Sequence, residues 1–253
     1  MIECRSIEKQ EGPAYLRVLC RVFDLDYARA ESVFYHEPFF DLKRKWALFE
    51  DGKIRSVLTT VPLLFGDGPA MGIAGVGTLA DHRCKGYGQM LLEAALDAGE
   101  PRAALFAQAR VLYERCGFEV LDDVVRAPFS QIEVDSDAEL LGFNEVRVLY
   151  EEWAAMDPRR LIRDENRWGF WKWNLRMCAQ VPGGYICQEG DTVRECVFHR
   201  APVRWPVFDS GEWFGLRCLL EELSLPVKEP ASELIFMGRG FSDVPRLFMT
   251  DQF

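Results

Sequence analysis

The order of hydrophobic patterns in this chain of 253 residues predicts an α+β architecture around one mixed β-sheet. Two helical periodicities come first and a three-strand meander follows; strand, helix, strand, helix and strand then alternate up to Pro128. Beyond an acidic stretch without a clear period, Ser130 to Glu139, a second and smaller α+β unit is expected. The chain is therefore divided at this stage into residues 1–128 and 136–253.

Each element has its own warrant. In Pro13 to Phe23, Leu16, Leu19, Cys20 and Phe23 recur at intervals of three and four, the spacing of an amphipathic helix, and a second helix is expected over Tyr27 to Tyr35. Trp46 to Glu50 and Ile54 to Phe65 flank Asp51-Gly52 and read as a hairpin. Ala70 to Leu79 is apolar and small, which suits a strand that another group must approach closely. Gln89 to Ala98 places Leu91, Leu92, Ala95 and Leu96 on one helical face, and Pro101 ends the helix. Ala103 to Ala107 reads as a buried strand, Val111 to Cys116 as a helical turn capped by Gly117, and Phe118 to Val125 as the returning strand.

In the second half, helices are expected over Leu149 to Met156, Glu165 to Leu175 and Trp213 to Leu223. A hairpin is expected over Tyr185 to His199, and strands over Glu233 to Met237 and Leu247 to Thr250. This order echoes part of the first half and suggests a degenerate copy. The run Trp168 to Trp173 reads as the packed face of a helix, with lining of an acceptor pocket as the alternative, and Arg159, Arg160 and Arg163 before it read as solvated.

Composition narrows the function classes. A hydrophobic fraction of 49% can supply a packed core, and 40 acidic against 30 basic residues give a net charge of −10. That sign disfavours nucleic acid, whose backbone demands a basic surface, and ranks cationic small molecules or amine-bearing peptides above it. No segment reaches the roughly 18 uninterrupted apolar residues of a membrane span, and residues 1–10 lack a leader pattern, so a cytoplasmic location without membrane contact is expected. The eight cysteines form no C-x-x-C pair and no zinc-like spacing with His. They read as mostly buried free thiols, and no metal is expected.

The chemistry is carried by Leu79-Ala80-Asp81-His82-Arg83-Cys84-Lys85-Gly86-Tyr87-Gly88-Gln89-Met90-Leu91-Leu92, which runs from a strand end through a basic, glycine-containing loop into a helix. Unpaired N–H groups and the helix dipole make such an N-terminus an anion site. A Walker loop is excluded because no Gly-Lys-Ser/Thr is present, and a dinucleotide fingerprint because Leu91 stands at its third glycine. What remains is Arg83-x-x-Gly86-x-Gly88, followed later by Leu112-Tyr113-Glu114-Arg115-Cys116-Gly117-Phe118.

These two motifs, in this order, resemble the signature of the GCN5-related N-acetyltransferase (GNAT) superfamily over residues 1–128. The resemblance implies an acyl-CoA N-acyltransferase fold and acetyl-coenzyme A as cosubstrate. Its pantetheine would lie against the backbone of Val76, Gly77, Thr78 and Leu79, and its pyrophosphate on Arg83, Cys84, Lys85, Gly86, Tyr87, Gly88 and Gln89. It also implies direct acetyl transfer to a primary amine of a small cationic molecule or peptide. Tyr113 would be the general acid for the departing thiolate, and the N–H of Val76, with Gly77 and Thr78 as alternatives, the oxyanion donor. His36, Glu37, His82 and Glu119 stay open as general bases, as does a water chain.

The two-part plan is similar to the enhanced-intracellular-survival group of acetyltransferases, which implies that the Phe253 carboxylate or Asp251 lies near the acceptor. The rival readings are a catalytically inactive acyl-CoA-binding protein and a C-terminal half that serves chiefly in homo-oligomerisation.

Overall fold

The computed structural model describes residues 1–130, 133–174, 176–199, 202–206 and 211–253. β1 (Ile2–Ser6) leads into α1 (Gly12–Phe23) and α2 (Tyr27–Phe34). The meander β2 (Lys45–Glu50), β3 (Lys53–Phe65) and β4 (Gly68–Thr78) follows, then α3 (Tyr87–Asp97), β5 (Ala103–Ala107), α4 (Val111–Arg115) and β6 (Glu119–Pro128). The second half contains β7 (Glu133–Asp135), α5 (Phe143–Ala155), α6 (Glu165–Trp173), β8 (Met177–Val181), β9 (Gly184–Glu189) and β10 (Thr192–Phe198). It closes with β11 (Arg204–Pro206), β12 (Glu212–Leu216), α7 (Arg217–Glu222), β13 (Ala231–Arg239) and a 3-10 turn at Met249–Asp251.

Eleven strands form one mixed sheet in the order β1-β2-β3-β4-β5-β13-β6-β12-β10-β9-β8. The order is nearly a palindrome about the β13–β6 pair. On one side β5 joins β4 in parallel and β13 antiparallel; on the other, β12 joins β10 in parallel and β6 antiparallel. The two halves of the chain have thus exchanged a strand: β13 lies between β5 and β6, both from the first half. One sheet therefore runs through both halves of the chain.

Several elements depart from the sequence reading for identifiable reasons. The helix expected over Trp213 to Leu223 is β12 followed by α7, because a strand buried on both faces presents a continuous apolar run without a period. The Trp213 ring lies over Gly215, where any Cβ would come within 2.3 Å of it. Leu247 to Thr250 is not a strand; it enters the 3-10 turn. β1 and β8 were not anticipated, and the stretch read as a linker contains β7, paired with β11. Leu175, Gln131 and Ile132, which those expectations include, lie outside the described residues. The cysteines are free thiols; Cys84 is exposed, whereas Cys20, Cys116, Cys178, Cys187 and Cys196 are buried.

The last turn of the chain is fastened by a buried ionic cluster. Arg163, expected in solvent, is 4% exposed. Its guanidinium lies 2.6 Å from both Glu195 Oε2 on β10 and Asp251 Oδ2 in the terminal turn, and 3.6 Å above the Tyr150 ring. Tyr185 and Thr250 donate hydroxyls to Glu195, and Trp171 donates its indole N–H at 3.1 Å. Burial pushes the Glu195 carboxyl up, but Arg163 and these donors outweigh it and the net direction is down. Arg167 adds hydrogen bonds to the Asp251 carbonyl at 3.3 Å and the Pro62 carbonyl at 2.8 Å, tying α6 and the terminus to β3. Arg159 and Arg160 are also engaged, with Asp157 and Glu222, and Arg159 holds the Asp157 carboxyl down at about 2.

Removing the guanidinium leaves two buried carboxylates without a counter-charge. Arg163→Met is expected to lower unfolding free energy by about 3–5 kcal/mol in denaturant titration. Because the folded Glu195 carboxyl is depressed, its contribution is present above the ordinary glutamate range and disappears as pH falls below it. The stability gap between wild type and Arg163→Met should therefore narrow in acid.

Candidate active site

The site begins with an irregularity in β4. Register with β3 passes from Thr59 opposite Ala74 to Val57 opposite Gly77, so Gly75 and Val76 together face Leu58. This is a bulge, and Gly75 takes a φ of +59° that a side chain would strain. β5 pairs with β4 only where Ala103 to Leu105 meet Met71 to Ile73. Past that point the strands part, and a cleft of about 520 Å³ opens between them. Behind the bulge, the fully buried Tyr15 of α1 donates to the Leu58 carbonyl at 2.9 Å and lies 2.9 Å from Thr59 Oγ1. Burial pushes its phenol well up. Gly77 is required by close approach, since a Cβ there would meet Val22 at 2.7 Å.

At one end of the cleft the chain leaves β4, turns through Ala80–His82 and enters α3. Cys84 (φ +61°) and Gly86 (φ +78°) are both left-handed, one residue apart, which turns successive N–H groups toward a common point. The first-turn N–H groups of α3, from Tyr87, Gly88 and Gln89, have no intrahelical acceptor. The space a Cβ of Gly86 would occupy is open, and the Arg83 and Lys85 side chains are exposed beside it. This donor set fits a pyrophosphate. The loop rests on Glu50, which accepts from the buried Tyr87 hydroxyl and lies 3.3 Å from His82 Nε2 and 3.2 Å from Arg55 Nε. The Tyr87 side chain thus belongs to the scaffold, while its N–H belongs to the loop. Arg83 Nε reaches back to the Thr78 carbonyl at 3.3 Å.

Tyr113 stands on α4, beside Phe118 with ring centroids 6.2 Å apart. It lines the cleft, and burial pushes its phenol up. Facing it are Gln252 and Phe253. The Phe253 ring covers Gly72 so closely that a Cβ there would lie 2.7 Å from it, and its centroid is 5.4 Å from that of Phe106. The same two terminal residues border a second cavity of about 350 Å³ beneath α1 and α2. The terminal pair of candidates is thereby separated: Asp251 is enclosed by the Arg163 cluster, whereas Phe253 reaches the cleft.

The four open candidates for a base fall apart in space. His36 is exposed with Nδ1 3.0 Å from the Ser32 carbonyl, His82 is bound to Glu50, and Glu119 is exposed at the start of β6. Glu37 lines the second cavity, where it accepts from Lys45. Sequence reasoning missed Tyr15, Arg163, Arg167 and Glu195, because their partners come from distant parts of the chain and leave no local spacing. The tryptophan run divides: Trp168 and Trp171 are core, Trp173 is 39% exposed, and Phe170 lines the second cavity.

Residues 3–121 match the family model described as the acetyltransferase (GNAT) domain. The matched segment, a little under half of the chain, is similar to that domain. The GNAT match ends within β6, but the likeness of fold continues. A GCN5-related N-acetyltransferase from Anabaena variabilis superposes with a TM-score of 0.72 at 18% identity, over 94% of this chain and 72% of that one. One from Kribbella flavida gives 0.70 at 18% identity, over 94% and 72%. Eis1 from Mycobacterium abscessus gives 0.62 at 18% identity, over 92% and 73%. At such identity the likeness is one of fold. No curated protein matches the sequence. No helix among the described residues is long and apolar enough to cross a membrane.

Tyr15→Phe removes the donor behind the GNAT bulge and leaves the Leu58 carbonyl buried without it. A loss of about 1–3 kcal/mol in unfolding free energy is expected by denaturant titration. Thr59→Val, which keeps the Tyr15 to Leu58 bond, should cost less.

Proposed function

We propose that this protein transfers an acetyl group from acetyl-coenzyme A directly to a primary amine. The observation that supports this reading most is the parting of β4 and β5 at the bulge, with Tyr113 and Phe253 lining the opening and a loop of unpaired N–H groups following the end of β4. The pantetheine amides would pair with the freed backbone of Val76 to Leu79, and the pyrophosphate with the N–H groups between Arg83 and Gln89. When bound, the cosubstrate supplies the activated thioester.

The chain's own groups divide the work. The N–H of Val76, in the bulge, donates to the oxygen of the polarised thioester carbonyl, a role that preorganised backbone donors perform without reorganisation. The neutral amine adds to the carbonyl carbon, the carbon–sulfur bond breaks, and the Tyr113 hydroxyl gives its proton to the leaving sulfur; the proton lost by the amine nitrogen passes to water, which returns one to the Tyr113 phenolate. The Phe253 carboxylate and Glu37, on the acceptor side, are the groups suited to orient the incoming amine. Both halves of the chain would then contribute to one site, with the acceptor side completed by the segment 136–253.

Calorimetry with acetyl-coenzyme A tests the reading. Saturable binding by wild type should vanish in the Gly86→Glu, Gly88→Glu double variant, which places two carboxylates where the phosphates would lie. A folded wild type that binds no acetyl-coenzyme A would sink the proposal. Tyr113→Phe should retain binding while kcat falls about 100-fold or more. Since burial raises the Tyr113 phenol, its proton is held above the ordinary tyrosine range, and the kcat profile should show no loss from this group at the usual phenol titration.

A further inference from the structure

The second cavity has a character that net charge does not anticipate. It is walled by Leu16, Val33, Phe34, Phe39 and Phe170, so α1, α2 and α6 each present an apolar side chain to it. Phe39 and Phe170 pack at a tilt with ring centroids 5.8 Å apart and bring the two halves of the chain together on its wall. It meets the thioester cleft at Ala74, Gly75, Gln252 and Phe253, so a molecule lying in it has one end at the bulge.

The charged side chains on its wall are few and mostly committed. Lys45, 3% exposed, donates to Glu37 and neutralises it. Arg167, 2% exposed, stands 4.4 Å over the Phe39 ring with its hydrogen bonds going to carbonyls. Two cations stand against Glu37 and the Phe253 carboxylate, both already assigned to the incoming amine, so no further acid is left to receive a second ammonium group. An additional charge brought into this space would lose its water without gaining a counter-ion. A hydrocarbon body, by contrast, gains from every carbon buried.

We propose that this cavity receives the acceptor, and that the acceptor is a monoamine with an apolar aliphatic or aromatic body, not a polyamine or an aminosugar. The inference deepens the acetyltransferase reading and rests on it for the reaction, though not for binding. The amine nitrogen sits at the Gly75 end, where the cavity opens on the thioester, and the apolar body runs back toward Phe39 and Phe170. An acyl chain would also be apolar, but it would set hydrocarbon against Glu37, Lys45, Thr59 and Gln252, whereas an amine can donate to Glu37 and Thr59 in addition to the bonds they already hold.

The test uses the intact protein with saturating acetyl-coenzyme A and a series of linear amines from ethylamine to octylamine, with 4-phenylbutylamine, spermidine and kanamycin. The basicity of linear amines changes little along the series, so the trend reports the pocket. The expected result is a rise in kcat/KM of about fourfold per buried methylene until the cavity is filled, with spermidine and kanamycin far below. Val33→Glu, at a position 46% exposed that tolerates the charge, should move the preference toward spermidine.

Preference of the wild type for spermidine or kanamycin overturns the proposal and leaves the acetyltransferase reading intact. So does a rise with acyl length across acetyl-, butyryl- and hexanoyl-coenzyme A together with a flat amine series, since the cavity would then hold the acyl tail. Calorimetric binding of 4-phenylbutylamine, weakened at least tenfold in Val33→Glu, supports the pocket assignment even where no turnover is seen. Its absence with and without coenzyme A refutes it.

Discussion

Two parallel strands that start paired and then must separate are the constraint around which this molecule is organised. The bulge at Gly75 and Val76 bends β4 away from β5, and almost everything near the proposed site responds to it. Tyr15 secures the backbone behind the bend, Gly77 admits α1 against the outer face, and the turn into α3 is carried to the mouth of the opening. The chemistry proposed here needs a backbone donor that is not consumed by the sheet. A strand paired on both edges has none to offer.

Separation of β4 from β5 exposes apolar surface that must be covered, and the cover comes from the far end of the chain. β13 extends the sheet beyond β5, and the residues after it run back to lay Phe253 over Gly72. A terminal segment held only by an aromatic ring would fray, since chain ends order poorly unless tied down. The Arg163 cluster supplies the tie, one turn before the end, from residues that are wholly internal. The ion pairs are internal, yet their effect is felt at the surface of the cleft.

The first half of this arrangement was legible because its information is local. Periodicity gave α1, α2 and α3, the Asp51-Gly52 turn gave the meander, and the order of Arg83-x-x-Gly86-x-Gly88 and the Tyr113 segment gave the loop and its partner. The second half was less legible for the same reason in reverse. β12 is buried on both faces and carries no alternation, and Arg163 is an ordinary arginine until Glu195 and Asp251 are brought to it. The exchange of β13 with β6 leaves no trace in spacing at all, because strand partners are chosen by the tertiary structure. The apolar second cavity escaped notice because α6 reaches it from more than a hundred residues beyond α1 and α2.

The exchanged strand also fixes a sequence of events during synthesis. β5 and β6 emerge from the ribosome well before β13, the strand that belongs between them. Until it arrives, both early strands present unpaired edges of the kind that invite pairing with other chains. Contacts this distant in sequence form slowly because loop closure must precede them. A chain without β13 therefore lacks part of the wall of its own cleft, to which Leu234 contributes.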